Sequence, residues 1–143
     1  MYQSLVLPYF DYCSLIWGNC NQTRKGKIQR LQNRAARIIT GDTYDVHSKD
    51  ILSRSGWKNL EERRVLQTES YVTKALQMKC TESINEMFKI SDKTYQLRNN
   101  NLVLMLSKPN TNAMKRSFSY SAAKIWNRQS IDARRKVINE IHH

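Results

Sequence analysis

The segment from Thr23 to Gly41 constrains the fold most strongly, because it carries the signals of both ends of a helix. Thr23 can cap an N-terminus, and Gly41 can adopt the left-handed conformation that stops a helix. Between them apolar residues recur at helical spacing, which predicts a stripe facing the core. The predicted stripe comprises Ile28, Leu31, Ala35 and Ile38. The 143 residues include only four glycines and two prolines, which disfavours a turn-rich β-sandwich or barrel.

Capping residues and apolar periodicity predict further helices in the first two thirds of the chain. The predicted helices cover about residues 5–17, 23–40, 48–54, 59–79 and 83–88. In the first of them Tyr9, Tyr12 and Ile16 recur at helical spacing, and Pro8 fits only in its first turn. In the longest, Asn59 is the expected cap and a broad apolar face follows.

The character of the sequence changes near residue 93. A β-capable run at residues 102–106 follows a turn-like stretch of asparagines, which predicts a small β-hairpin at about 94–106. One or two helices follow, at about residues 119–127 and 132–141. The predicted fold class is mainly α, a small helical bundle followed by the hairpin and the C-terminal helices. The predicted domains are residues 1–92, which are helical, and residues 93–143, a basic C-terminal extension.

The charge of the chain is segregated. The net charge is +12, and two segments without any acidic residue hold nearly all of the excess. Residues 24–41 carry six cations, and residues 93–131 carry seven. A field of this sign attracts nucleic acid first and an anionic membrane second, whereas a merely solvated basic surface needs no such segregation. Nucleic acid is therefore the predicted partner.

The predicted helix at 23–40 supplies most of the candidate binding residues. At about 100° per residue, its last three arginines share one arc beside the apolar stripe. Cations in such a row neutralise phosphates and release counterions. The predicted nucleic-acid-binding residues are Lys27, Arg30, Arg34, Arg37, Lys115 and Arg116. An exposed basic helix face without a ligand is the alternative.

Aromatic residues admit two interpretations in a basic chain. Phe118 follows the second pair of candidate cations, and aromatic rings can stack on bases. Phe118 and Trp126 are nonetheless expected in the core more than as stacking surfaces. Trp17 and Trp57 follow helical patterns and are expected in the core as well.

No catalytic or metal-binding constellation is recognisable. There is no Asp-Asp pair, no glycine-rich phosphate loop, and no histidine that pairs with an obvious nucleophile. The three cysteines, Cys13, Cys20 and Cys80, lack zinc spacing and a disulfide pattern, which favours an intracellular reducing compartment, cytoplasm or nucleus. No uncharged apolar run is long enough for a membrane span, so no membrane partner is expected. The apolar start without a polar lead-in is typical of a fragment.

Several strings resemble, in order, the region after the polymerase core in non-LTR (LINE-type, jockey-like) retrotransposon reverse transcriptases. The most specific is IQRLQNRAARIITG at residues 28–41. The others are LVLPYFDYCS at 5–14, IWG at 16–18, Gly56-Trp57 with Leu60 and Arg63-Arg64, YQLR at 95–98, KRSFSYSAA at 115–123 and IWN at 125–127.

The resemblance implies an RNA-directed DNA polymerase of a mobile element, of which residues 1–92 are the thumb-like region. The catalytic palm and its divalent metal site would lie upstream of Met1, so no cofactor is expected in this chain. A thumb grips template–primer duplex through its phosphates, so the implied partners are RNA or that duplex and the upstream palm. No catalytic residue has a matching position here, and the chain is expected to be inactive by itself.

Two other functions stay open from the sequence. The alternatives to nucleic-acid binding are a non-functional remnant of a mobile element and a helical protein–protein interaction module. The second would use the broad apolar face of the predicted helix at 59–79 to bind a partner protein.

Overall fold

The computed structural model describes residues 2–91 and 102–140, and within them the chain is helical. In these two described ranges, nine α-helices follow a π-helical turn at Tyr2–Val6. They are α1 (Leu7–Asp11), α2 (Ser14–Trp17), α3 (Gln22–Thr40), α4 (Ser48–Arg54), α5 (Leu60–Leu76), α6 (Glu82–Asn85), α7 (Asn112–Lys115), α8 (Phe118–Arg128) and α9 (Ile131–Asn139). The predicted mainly helical fold is therefore confirmed.

The chain divides into two compact units, Met1–Val65 and Leu66–His143, with the boundary inside α5. This division follows from compactness, whereas the predicted one between residues 92 and 93 follows from charge. The predicted division stays a prediction. The two units are described separately below.

The predicted continuous helix at 5–17 is wrong, because the chain breaks between α1 and α2. Tyr12 is extended with ψ of 121°, and Cys13 is left-handed with φ of 49°. The backbone oxygen of Tyr12 accepts a hydrogen bond from Trp17 Nε1, which gives this break a local partner. Tyr9 and Ile16, which helical spacing placed towards the core, are exposed. Pro8 does lie in the first turn of α1, as predicted.

The core of the first unit is small. Ala36 of α3 and Ile51 and Leu52 of α4 are buried together, and Trp57 packs against them. Trp57 also stacks on Tyr2, with ring centroids 3.6 Å apart. The expected core position of Trp57 is therefore confirmed.

The second unit has the larger core, and it is centred on aromatic residues. Trp126 of α8 is 1% exposed, and Phe118 packs edge-on against Tyr71 and Phe88 with centroid distances of 5.9 Å in both pairs. The buried set is Val72, Ala75, Phe88, Leu104, Ala122, Ala123, Trp126 and Ile138. Both Phe118 and Trp126 thus contribute to the core, as expected, together with Val72 and Ala75 of α5.

The predicted hairpin at 94–106 is not supported. Its first arm falls on residues 94–98, outside the described residues. Within residues 2–91 and 102–140 no strand forms, and Leu104 makes an isolated antiparallel bridge with Ile90. The backbone N–H of Ser91 donates to Val103 O, and that of Met105 donates to Lys89 O, each at 2.8 Å. The apolar run at 102–106 therefore pairs with the segment that follows α6.

Side-chain caps define most helix starts in the described chain. Asn59 accepts from Glu62 N at 2.8 Å, as predicted, although α5 is shorter than expected and ends before a left-handed Met78. Ser117 and Ser130 cap α8 and α9. None of the helices within the described ranges combines the length and apolar character that crossing a membrane requires.

Candidate nucleic-acid interface

Residues next to each end of α3 define where the helix begins and ends. Asn21, two residues before the predicted cap Thr23, accepts a hydrogen bond from Arg24 N at 3.0 Å. At the other end Gly41 has φ of 70°, and its N–H donates to Arg37 O at 2.9 Å. A left-handed residue at this place favours glycine, which fixes where α3 stops.

The predicted apolar stripe of α3 is only partly confirmed: Ile28 and Ala35 are half-buried, but the most buried face of the helix is a different one. Leu31 and Ile38 are 57% and 74% exposed, whereas Gln32 and Ala36 are buried. At about 100° per residue, the face of Gln32 and Ala36 is centred about 130° around the helix from that of Leu31 and Ile38. The buried face of α3 therefore contains amides as well as a methyl group.

An amide network explains why α3 is rotated about its axis relative to the prediction and buries this face. Gln29 Oε1 accepts from the backbone N–H of Leu60 at 3.0 Å, and Gln32 Nε2 donates to Lys58 O at 3.1 Å. Gln29 Nε2 donates in turn to Gln32 Oε1 at 2.7 Å and to Asn33 Oδ1 at 2.8 Å. Buried polar groups require such partners, so the two glutamines fix α3 against the start of α5.

Replacement of Gln29 with leucine is expected to lower the free energy of unfolding by about 1–3 kcal/mol, because the buried N–H of Leu60 loses its acceptor. Urea unfolding followed by circular dichroism measures the loss. Gln22→Leu, at an exposed position of the same helix, is the control and should change stability by less than about 0.5 kcal/mol. Equal stability of the two variants would contradict the network.

The rotation of α3 places its cations on the outside. Lys27, Arg30 and Arg34 are exposed, and Arg37 is half-buried. Arg30 Nε donates to Gly26 O of its own helix at 3.4 Å, a local contact that leaves the guanidinium at the surface. The candidate row thus lies along one exposed side of α3, together with the apolar side chains of Leu31 and Ile38.

Carboxylates of the described chain bind other cations. The ion pairs within residues 2–91 and 102–140 join Arg63 to Asp11 at 2.6 Å, Arg54 to Asp42 at 2.9 Å and Lys25 to Glu61 at 3.8 Å. None of them includes a member of the α3 row. Lys27, Arg30 and Arg34 therefore have no ion-pair partner within these described ranges, whereas the charge of Arg37 also acts on the nearby carboxylate of Asp42.

Two arginines of α5 belong to the packing of the first unit instead. Hydrogen bonds to the Asp11 carboxylate raise the pKa of Arg63. Burial lowers the pKa of Arg64, whose guanidinium carbon lies 4.7 Å from the ring centroid of Trp17. These two residues hold α1 and α2 against α5, which separates their role from that of the exposed row.

Tyr44 is a residue that the sequence analysis missed. It lies in the turn after Gly41, 80% exposed, and the guanidinium carbon of Arg37 is 5.3 Å from its ring centroid. The available signal was an aromatic residue three positions after the glycine that ends an arginine-rich helix. Periodicity does not report on such turn residues.

Lys115 and Arg116 lie in the second unit. Lys115 is the last residue of α7 and Arg116 follows it, and both side chains are exposed. Ser117, the next residue, caps α8 and turns the chain towards the aromatic core. The candidate row on α3 and this pair therefore belong to different units.

Comparison with known proteins identifies no relative. No protein-family model, no curated protein and no solved structure matches the chain. Within residues 2–91 and 102–140 no three His, Cys, Asp or Glu side chains come together as a metal ligand set would.

Proposed function

We propose that the chain binds the phosphate backbone of nucleic acid through the exposed cations of α3. The observation that carries this proposal is the combination of an amide-fixed helix with three exposed cations, Lys27, Arg30 and Arg34, that form no ion pair with a carboxylate of the described chain. A helix that is already held in place loses little backbone freedom on binding. Lys27, Arg30 and Arg34 contact phosphates, and Arg37 supports the end of the row.

The proposed context is the C-terminal, thumb-like part of a non-LTR retrotransposon reverse transcriptase. The ordered motifs in the sequence support it, and the most specific of them, residues 28–41, contains the three arginines of the row, Arg30, Arg34 and Arg37. In that context the ligand is RNA or a template–primer duplex, held for a catalytic palm on another part of the protein. The chain contributes binding and positioning, and chemistry belongs to the palm.

A salt titration tests the proposal. The probe is an RNA–DNA hybrid duplex of mixed sequence, and the measurement is the slope of log affinity against log salt between 50 and 200 mM. Replacing Lys27, Arg30 and Arg34 together with glutamine is expected to reduce that slope by about 2.7, since each lost phosphate contact removes about 0.9. Affinity should fall about equally for different sequences, because backbone contacts carry no base information.

A charge-matched control separates the row from net charge. Lys49, Lys58 and Lys79 are exposed lysines outside α3, and their joint replacement with glutamine removes the same total charge. The control is expected to retain most of the slope of the unmodified chain. An unchanged slope in the α3 variant, or an equal reduction in both variants, would remove α3 from the interface. Absence of any affinity at low salt would favour the non-functional remnant.

Exposed apolar residues of α3 favour a second candidate function, which is contact with a folded protein. Leu31 and Ile38 are more than half exposed and lie beside the cationic row. An exposed apolar patch rimmed by polar residues is typical of protein interfaces. In the proposed context that protein is the palm. Apolar side chains release no counterions, so the salt titration reports on the cations alone and keeps the two roles apart.

A further inference from the structure

The strongest unassigned feature of the first unit is the exposed ring of Tyr44. One face of the ring is covered by the guanidinium of Arg37, at 5.3 Å, within the range of a cation–π contact. Arg37 is itself fixed, because its Nη2 donates to Val46 O at 3.3 Å. The ring is nevertheless 80% exposed, so it has surface available for a second planar group.

Tyr44 continues the cationic row of α3. Arg30, Arg34 and Arg37 lie four and three residues apart on one side of the helix, and Tyr44 contacts the last of them. The row therefore runs from cations that suit phosphates to an aromatic ring that suits a base. A strand whose phosphates follow the arginines reaches Tyr44 at the C-terminal end of α3.

We propose that Tyr44 is a stacking platform for an unpaired base, so that the α3 face recognises a single strand or its junction with a duplex. This inference rests on the proposed function, because it adds base recognition to the same phosphate-binding row. Aromatic rings stack on every base, which gives affinity for single strands without sequence preference. Bases inside a duplex already stack on their neighbours and offer no free face to the ring.

An equally exposed tyrosine provides the matched comparison. Tyr9 is 81% exposed in the same unit, but within residues 2–91 and 102–140 no cation lies over its ring, and it is outside α3. If exposure alone made a tyrosine bind bases, Tyr9 and Tyr44 would act alike. If the position at the end of the arginine row matters, Tyr44 alone contributes.

The experiment compares two hybrid duplexes that have the same number of phosphates. One carries a four-nucleotide RNA overhang with its bases, and the other carries an overhang of the same length built from abasic nucleotides. Fluorescence anisotropy of labelled duplexes gives both affinities for the full chain. The unmodified chain is expected to prefer the overhang with bases by about five-fold or more, as stacking on one aromatic residue provides.

The variants assign this preference to one ring. Tyr44→Ala is expected to abolish it, Tyr44→Phe to retain it because the π face remains, and Tyr9→Ala to leave it unchanged. Circular dichroism checks that each variant folds. Folding is expected, because both tyrosines are exposed. A preference that survives in Tyr44→Ala, or that Tyr9→Ala reduces equally, overturns the assignment.

Blunt duplex separates failure of this inference from failure of the proposed function. If the chain binds blunt duplex with a steep salt slope but shows no preference for bases in the overhang, only the stacking role of Tyr44 is wrong. If the chain binds none of the three probes at low salt, the phosphate-binding role of α3 is wrong and the role of Tyr44 is overturned with it.

Discussion

Replacement of Trp126 with alanine is expected to lower the free energy of unfolding of the second unit by about 3–5 kcal/mol. Trp126 is the largest fully buried side chain in the described chain, and its ring lies in the core cluster with Phe88 and Leu104. Its Nε1 also donates to Leu102 O at 3.0 Å. Alanine therefore removes the ring, leaves a cavity and removes a buried hydrogen bond.

Urea unfolding of the full chain, followed by far-ultraviolet circular dichroism, measures this loss. Trp126→Phe is the informative comparison, because it keeps an aromatic ring and loses only the donor. Leu102 O still accepts from Arg134 Nη1 at 3.3 Å, so the phenylalanine variant should lose less than half as much stability. Equal losses in the two variants would show that the volume of the ring is not what stabilises this core.

Replacement of Asn127 with leucine is expected to cost about 2–6 kcal/mol, because two buried backbone groups lose their partners at once. Asn127 Oδ1 accepts from the N–H of Leu104 at 2.9 Å, and Asn127 Nδ2 donates to the oxygen of Leu104 at 3.0 Å. Leu104 is 1% exposed, so water cannot easily replace either bond. The carboxamide of Asn127 thus bonds both backbone groups of Leu104, as a neighbouring β-strand would.

Thermal and urea unfolding measure the loss, with Asn139→Leu as the matched control on an exposed position of α9. The control should stay within about 0.5 kcal/mol of the unmodified chain. Asn127→Asp separates the two bonds, since it keeps an acceptor for the N–H of Leu104 and loses the donor to its oxygen. A leucine variant as stable as the control would contradict the role assigned to the carboxamide.

The elements that local chemistry determines were predictable from the sequence. Asn59 caps α5, Gly41 ends α3 and Pro8 lies in the first turn of α1, because each of these signals acts within a few residues. The helix predicted at 48–54 is present as α4, Ser48–Arg54. The positions of most helices in the described chain could therefore be predicted from the sequence.

The rotation of α3 was not predictable, because its cause is distant in sequence. Gln29 and Gln32 find their partners 31 and 26 residues away, at Leu60 and Lys58. Periodicity assigns the inward face to apolar residues and cannot detect that two amides satisfy backbone groups there. The outward position of Arg30 and Arg34 agrees with the predicted row, whereas the neighbouring apolar stripe was expected to be buried.

The partner of the run at 102–106 was unpredictable for a related reason. Hairpin rules look for a second strand next in sequence, but Leu104 bridges to Ile90 on one side and binds a side chain of α8 on the other. Nothing in the sequence around Asn127 indicates that its side chain hydrogen-bonds the backbone of the extended segment at Leu104. Only the folded second unit brings these groups together.

The segment around Leu104 has both backbone edges occupied, by residues 89–91 and by Asn127. Its sequence at 102–106 is entirely apolar and rich in residues that favour intermolecular β-structure. An edge without free N–H and C=O groups cannot template the addition of another molecule. Pairing within the second unit thereby occupies backbone groups that could otherwise accept another molecule, so a variant that frees this edge is expected to self-assemble before it unfolds completely.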